Sequence, residues 1–130
     1  MAREKRIIQM LDESPFLYHL ISKKTTKHIK RTYGVEYPIL MICLGLDVGR
    51  TLGVLMNSRK IRCLYRSIFT NQATDKAILT GTQEGFYTLE DHPTHSKTRV
   101  ITLTVKGEKA IRDYKEYTFN RTKEIYLDII

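Results

Sequence analysis

The sequence predicts a mostly helical α+β fold in a single domain, and three observations predict it. Apolar residues recur at helical spacing along most of the chain, one stretch after residue 85 switches to β-branched and aromatic residues on both sides of a polar turn, and no repeat or Pro/Gly-rich linker divides the 130 residues. A chain of this length buries enough surface to fold without disulfides or a structural metal. Its apolar share of 42% and charged share of 28% are those of a globular protein and exclude wholesale disorder.

The elements follow in order. Residues 3–11 form a short amphipathic stretch that ends at Asp12-Glu-Ser-Pro15, where Ser14 suits a helix cap and Pro15 the first helical position. The helix that follows is expected to reach Tyr33 and stop at Gly34, with Phe16, Leu17, Leu20 and Ile21 on its apolar side. Lys23, Lys24, Lys27, Lys30 and Arg31 crowd its last turns, either as a solvated end that complements the helix dipole or as phosphate contacts. Pro38 opens a nearly all-apolar segment, 39–46, that reads as a buried central helix. Residues 47–57, with Val48, Leu52, Val54 and Leu55 among Gly49 and Gly53, read as a short helix or turn.

Ser58 is the expected cap of a helix with Ile61, Leu64, Tyr65 and Ile68 on one side and Arg59, Lys60, Arg62 and Arg66 on the other. A polar break at 70–73 precedes a second helix, 74–84, expected to bury Ala77 and Ile78 and expose Asp75, Lys76, Thr80 and Gln83. Two short helices joined by a tight turn make a helix-turn-helix. Residues 85–91 and 97–104 then read as a β-hairpin around the turn 92–96, and a last helix starts near Lys106 or Gly107 with Ala110, Ile111, Tyr114, Tyr117, Ile125 and Leu127 on its apolar side. The domain thus divides into N-terminal helices (1–36), a core with helix-turn-helix and hairpin (37–105) and a C-terminal helix (106–130).

Charge and cysteines bound the function. Lys and Arg number 22 against 14 Asp and Glu, a net charge of +8 that suits a polyanionic partner. Cys43 and Cys63 lie among apolar residues without C-x-x-C spacing, which points to buried thiols in a reducing compartment. The charged start is no signal peptide and 39–46 is far short of a bilayer span, so a cytoplasmic protein with no membrane partner is expected.

The order of helices, helix-turn-helix, hairpin and closing helix, with Ile101-Thr-Leu-Thr-Val-Lys-Gly107 at the end of the hairpin and Gly85-Phe86 leading into it, resembles the MarR-type winged helix-turn-helix family. The similarity spans roughly residues 37–114. The resemblance implies a hairpin that serves as the wing, and a repressor or autoregulator that occupies promoters and in some members releases DNA on binding a small-molecule effector. Three places depart from the family pattern: His95-Ser-Lys97 replaces an Asp-x-Arg at the wing tip, Gly81 stands where an apolar residue is expected, and 47–58 fits the usual element lengths poorly.

The chemistry expected of such a fold is double-stranded DNA recognition. Asn71, Gln72, Thr74, Asp75 and Lys76, with Thr80 one turn on, offer donors and acceptors to base edges, although Asn71 and Gln72 also suit an ordinary polar turn and Thr74 a helix cap. In the wing, His92, His95, Lys97 and Arg99 suit phosphate or minor-groove contact, and Arg59, Lys60, Arg62 and Arg66 suit the DNA backbone. His92-x-x-His95 lacks further ligands at metal-binding spacing, so no metal and no cofactor is expected. No phosphate-binding glycine loop, nucleophile elbow or zinc-protease motif occurs, and a nuclease built on Asp47, Asp75 and Glu84 would need those carboxylates to converge, so an enzyme is not expected. The terminal helices carry apolar stripes without an obvious partner in the chain, which predicts a homodimer. Two other readings are centromere or origin binding for plasmid or phage maintenance, and an assembly module that uses Tyr114, Tyr117, Phe119 and Tyr126 without DNA.

Overall fold

The computed structural model describes residues 2–3, 5–6, 9, 15–94 and 97–129. The expected Ser14 cap, much of the 3–11 stripe, the packing of Phe16, Leu17 and Leu20, and His95 lie outside the described residues. The elements are α1 (Pro15–Tyr33), α2 (Tyr37–Thr51), α3 (Ser58–Tyr65), α4 (Asn71–Gln83), β1 (Tyr87–Asp91), β2 (Arg99–Leu103) and α5 (Val105–Ile129). Where the sequence suggested one domain divided at 36/37 and 105/106, the chain packs as two compact units, residues 35–111 and residues 1–34 with 112–130. Among the described residues no helix is long and apolar enough to cross a membrane.

In the 35–111 unit α2 is the central element. Pro38 fits its first turn, and Ile39, Leu40, Ile42, Cys43 and Leu46 are buried. Burial pushes the Cys43 thiol up to about 12, because the apolar surroundings disfavour a thiolate. Of the 47–57 stretch, read as a short helix or turn, the first five residues continue the central helix, and α2 runs on to Thr51. Asp47 holds the Arg50 guanidinium at 2.7 Å, and Arg50 also reaches Glu108. Gly49 is tolerated in the helix because Met56 packs on it; a Cβ there would lie 2.5 Å from the Met56 Cγ. Helix α3 is capped by Asn57 rather than the expected Ser58, its side chain accepting from the Lys60 N–H at 2.9 Å.

Strands β1 and β2 pair antiparallel with Tyr87 opposite Leu103, Leu89 opposite Ile101 and Asp91 opposite Arg99. The Ile101 N–H, on the outer edge of β2, donates to the Met56 carbonyl at 2.9 Å. A single residue of the 52–57 connection therefore stands where a third strand would lie. Thr104 closes the hairpin, its N–H donating to the Phe86 carbonyl at 3.2 Å and its hydroxyl to the Gly85 carbonyl at 2.5 Å.

The unit of 1–34 and 112–130 is held by different groups. Ile21, Thr25 and Ile29 are buried along one side of α1. The Thr25 hydroxyl donates to the Ile21 carbonyl at 2.8 Å and accepts from Thr118 at 3.2 Å, while Thr122, also buried, donates to the Thr118 carbonyl at 2.7 Å. His28 Nε2 sits 3.2 Å from the Asp113 carboxylate, and its ring stacks on Tyr117 with centroids 4.1 Å apart. Desolvation and then the Asp113 charge push the Tyr33 phenol above its ordinary range.

Candidate nucleic-acid interface

The helix-turn-helix is assembled on buried anchors. Ile61 and Tyr65 fix α3 against the interior, and the Tyr65 hydroxyl donates to the Met41 carbonyl of α2. Burial raises that phenol to about 12. The turn closes with Ile68 and Phe69 N–H groups donating to the Tyr65 carbonyl at 2.9 and 2.8 Å. Thr70 then caps α4, its hydroxyl accepting from the Ala73 N–H at 3.1 Å. The helix therefore begins at Asn71, three residues before the expected start, which places Asn71 and Gln72 in its first turn instead of in a polar break.

Thr74, Ala77, Ile78 and Gly81 are the buried positions of α4, at spacings of three and four residues. The Gly81 departure has a steric reason: a Cβ there would meet the Tyr87 ring and hydroxyl, and the Tyr87 hydroxyl donates to the Ala77 carbonyl one turn earlier. A tyrosine from the hairpin fills the space that an apolar side chain on the helix would have used. On the other side of α4, Asn71, Gln72, Asp75, Lys76, Leu79 and Gln83 are exposed, within an arc of about 140° at about 100° per residue.

The expected site residues divide on this geometry. Asn71, Gln72, Asp75 and Lys76 share the exposed arc. Thr80 is half-buried at its margin. Thr74 is corrected: at 2% exposure it faces the interior, because position 74 falls on the buried stripe with Ala77, Ile78 and Gly81, and no base edge could reach it. Its hydroxyl has no hydrogen-bond partner among the described residues. Asp75 is engaged by Arg62 of α3 at 3.1 Å, a pair with both side chains partly exposed that ties the two helices together. Arg59, Lys60 and Arg66 are exposed; Lys60 Nζ donates to the Leu55 carbonyl at 3.0 Å, whereas Arg59 and Arg66 have no partner among the described residues.

In the wing, Lys97 and Arg99 are exposed, and His92 is half-buried. His92 Nδ1 accepts from the Thr94 N–H at 3.1 Å, and the His92 N–H donates to the Thr98 carbonyl at 2.9 Å, so this residue closes the turn. Asp47, Asp75 and Glu84 are not brought together: Asp47 is bound to Arg50 and Asp75 to Arg62. Among the described residues no cluster of His, Cys, Asp or Glu could hold a metal ion.

No protein-family model matches the sequence, and no curated protein matches it significantly. Solved structures do. RV1404 from Mycobacterium tuberculosis superposes with a TM-score of 0.72 at 16% identity, over 95% of this chain and 79% of that one. The transcriptional regulator Tm0710 from Thermotoga maritima gives 0.64 at 15% identity, over 87% of this chain and 78% of that one. A MarR family transcription regulator gives 0.63 at 16% identity, over 95% and 75%. The chain has the MarR-type winged-helix fold.

Within that fold three features of the helix-turn-helix escaped the sequence. Leu64 and Ile68, expected on the buried side of α3, are 50% and 57% exposed, because α3 ends at Tyr65 and only one residue per turn is covered. Cys63, expected to be a buried thiol, is exposed. Leu79, 58% exposed in the middle of the polar arc of α4, was not among the expected contacts. Its spacing from Asp75 and Lys76 is the signal that could have found it, since an apolar side chain on a recognition helix suits a thymine methyl.

Proposed function

We propose that this chain is a sequence-specific double-stranded DNA-binding protein that acts as a homodimer and regulates transcription as a repressor or autoregulator. The observation that carries the reading is the exposed arc of α4. Asn71, Gln72 and Lys76 supply donors and acceptors over the first two turns, Leu79 supplies an apolar contact, and the opposite side of the same helix is locked into the interior. Arg59, Arg66, Lys97 and Arg99 are exposed cations of the same unit and take the phosphate contacts that set register. Asp75 orients Arg62 in this scheme and does not read a base itself. The solved neighbours described as transcription regulators support the regulatory role.

The test is selection of binding sites from random duplexes, followed by titration at several salt concentrations. Replacing Gln72 or Lys76 with alanine is expected to relax base preference by about 1 to 3 kcal/mol at one position of the selected site. Replacing Lys97 or Arg99 is expected to weaken all duplexes alike and to lower the salt slope by about one unit per contact. Absence of any selected site, or substitutions in α4 that leave preference unchanged, would overturn the reading. Sedimentation decides the homodimer: a monomer at tens of micromolar removes the two-fold pairing of half-sites.

A further inference from the structure

The positive charge of this chain does not sit mainly where the winged helix is. Residues 35–111 hold ten Lys and Arg against seven Asp and Glu, whereas residues 1–34 with 112–130 hold twelve against seven. Five of the eight excess charges therefore belong to the unit without the helix-turn-helix, and α1 alone carries Lys23, Lys24, Lys27, Lys30 and Arg31 with no acidic residue in its 19 positions.

These cations form a ridge. All five are exposed, and at about 100° per residue they occupy an arc of about 120° centred opposite the buried positions Ile21, Thr25 and Ile29. From Lys23 to Arg31 the arc holds nothing but cations. Lys23, Lys24, Lys27 and Arg31 make no ion pair among the described residues, in contrast to Arg50 and Arg62 of the other unit. A helix dipole is complemented by one or two cations in the last turn, and five spread over more than two turns exceed that need. Mutual repulsion along such a ridge is relieved by a polyanion.

We propose that the ridge on α1 is a second duplex-binding surface, independent of sequence, so that one protein assembly holds two DNA segments. This inference rests on the DNA-binding reading above. Duplex DNA fits the ridge because its charge is as dense and as linear: the five cations lie within about 12 Å of helix axis at about 1.5 Å per residue, and a duplex presents one phosphate per about 1.7 Å. A lipid surface would call for apolar side chains beside the cations, and between Lys23 and Arg31 the ridge has none.

A bead assay separates the possibilities. A biotinylated 60-base-pair duplex of mixed sequence is immobilised, protein is added, and capture of a second, fluorescent duplex of unrelated sequence is measured at low salt. Wild-type protein is expected to capture it. The variant Lys23→Gln/Lys24→Gln/Lys27→Gln/Arg31→Gln, whose replacements keep helix propensity, is expected to stay on the immobilised duplex and to capture about ten-fold less of the second, since each lost phosphate contact removes about 0.9 from the salt slope. The matching variant with arginine at the three lysine positions is expected to capture like wild type, which separates charge from folding. Undiminished capture by the glutamine variant would overturn the inference, because the winged units alone would then bridge. So would wild-type protein that binds one duplex and never a second, or that binds phosphatidylserine vesicles through the ridge in preference to the second duplex; the DNA-binding reading survives all three outcomes. Wild-type protein that binds no duplex at all overturns both.

Discussion

The two compact units hold themselves together with different chemistry. The interior of residues 35–111 is mostly hydrocarbon, with Asp47 and Thr74 also buried, and two tyrosines project into it with their hydroxyls donated to backbone carbonyls, Tyr65 to Met41 and Tyr87 to Ala77. The unit of 1–34 and 112–130 sets Thr25 and Thr122, fully buried, beside Ile21 and Ile29, and links its two segments by the hydrogen bond from Thr118 to Thr25. Hydrocarbon interiors lose stability steeply when trimmed, and a buried tyrosine tied to a carbonyl fixes one helix at one depth. Threonine hydroxyls that bond their own helix one turn back gain little net energy, because the same carbonyl is already satisfied. The unit that must present α4 at a fixed angle has the less forgiving interior.

Three substitutions put that difference at risk, measured by urea denaturation. The largest effect is expected at Ile61, fully buried under α3: alanine there should cost about 2 to 5 kcal/mol through lost transfer energy and a cavity. Next comes Gly81→Ala, which forces a methyl against the Tyr87 ring and should cost about 1 to 3 kcal/mol. In a Tyr87→Leu background that second cost should shrink, and a cycle showing full additivity would mean that the two residues do not share the space. The smallest effect is expected for Thr25→Val in the other unit, below about 1 kcal/mol, because the shape is kept and only a hydroxyl is removed. A loss at Thr25 as large as that at Ile61 would erase the contrast.

Most of the winged fold was readable from residue patterns, and the misreadings share a cause. The hairpin could be read because 85–91 and 99–103 concentrate β-branched and aromatic residues around a polar turn, and the centre of α2 because 39–46 is apolar on every side. Residues 47–57 read as a short helix or turn because Gly49 and Gly53 interrupt the apolar pattern, whereas the Arg50 guanidinium on Asp47 and the Met56 side chain on Gly49 let the central helix continue to Thr51. On α4, Thr74 and Asp75 are equally polar neighbours, and only the spacing of three and four residues from Ala77 and Ile78 reveals that the buried stripe passes through the first. Cys63 was misplaced for the converse reason: an apolar-looking residue on an eight-residue helix whose cover extends only to Ile61 and Tyr65. Periodicity locates a stripe on a helix, but its width depends on what packs there.

The bond from Ile101 to the Met56 carbonyl has a bearing on what can add to the edge of the hairpin. A two-stranded hairpin offers unpaired backbone groups on both flanks, which invites strands from other chains to add on. On the flank of β2 one of those donors is already occupied by a residue 45 positions earlier in the chain, so an intruding strand must first displace the 52–57 connection. The other deterrent is charge, with Glu90 and Asp91 on β1 and Arg99 on β2 crowding the distal half of the ribbon. Cover of the β2 edge thus resides partly in a connection outside the wing, and loosening that connection would bare the edge while the strand pairing of the hairpin stayed intact.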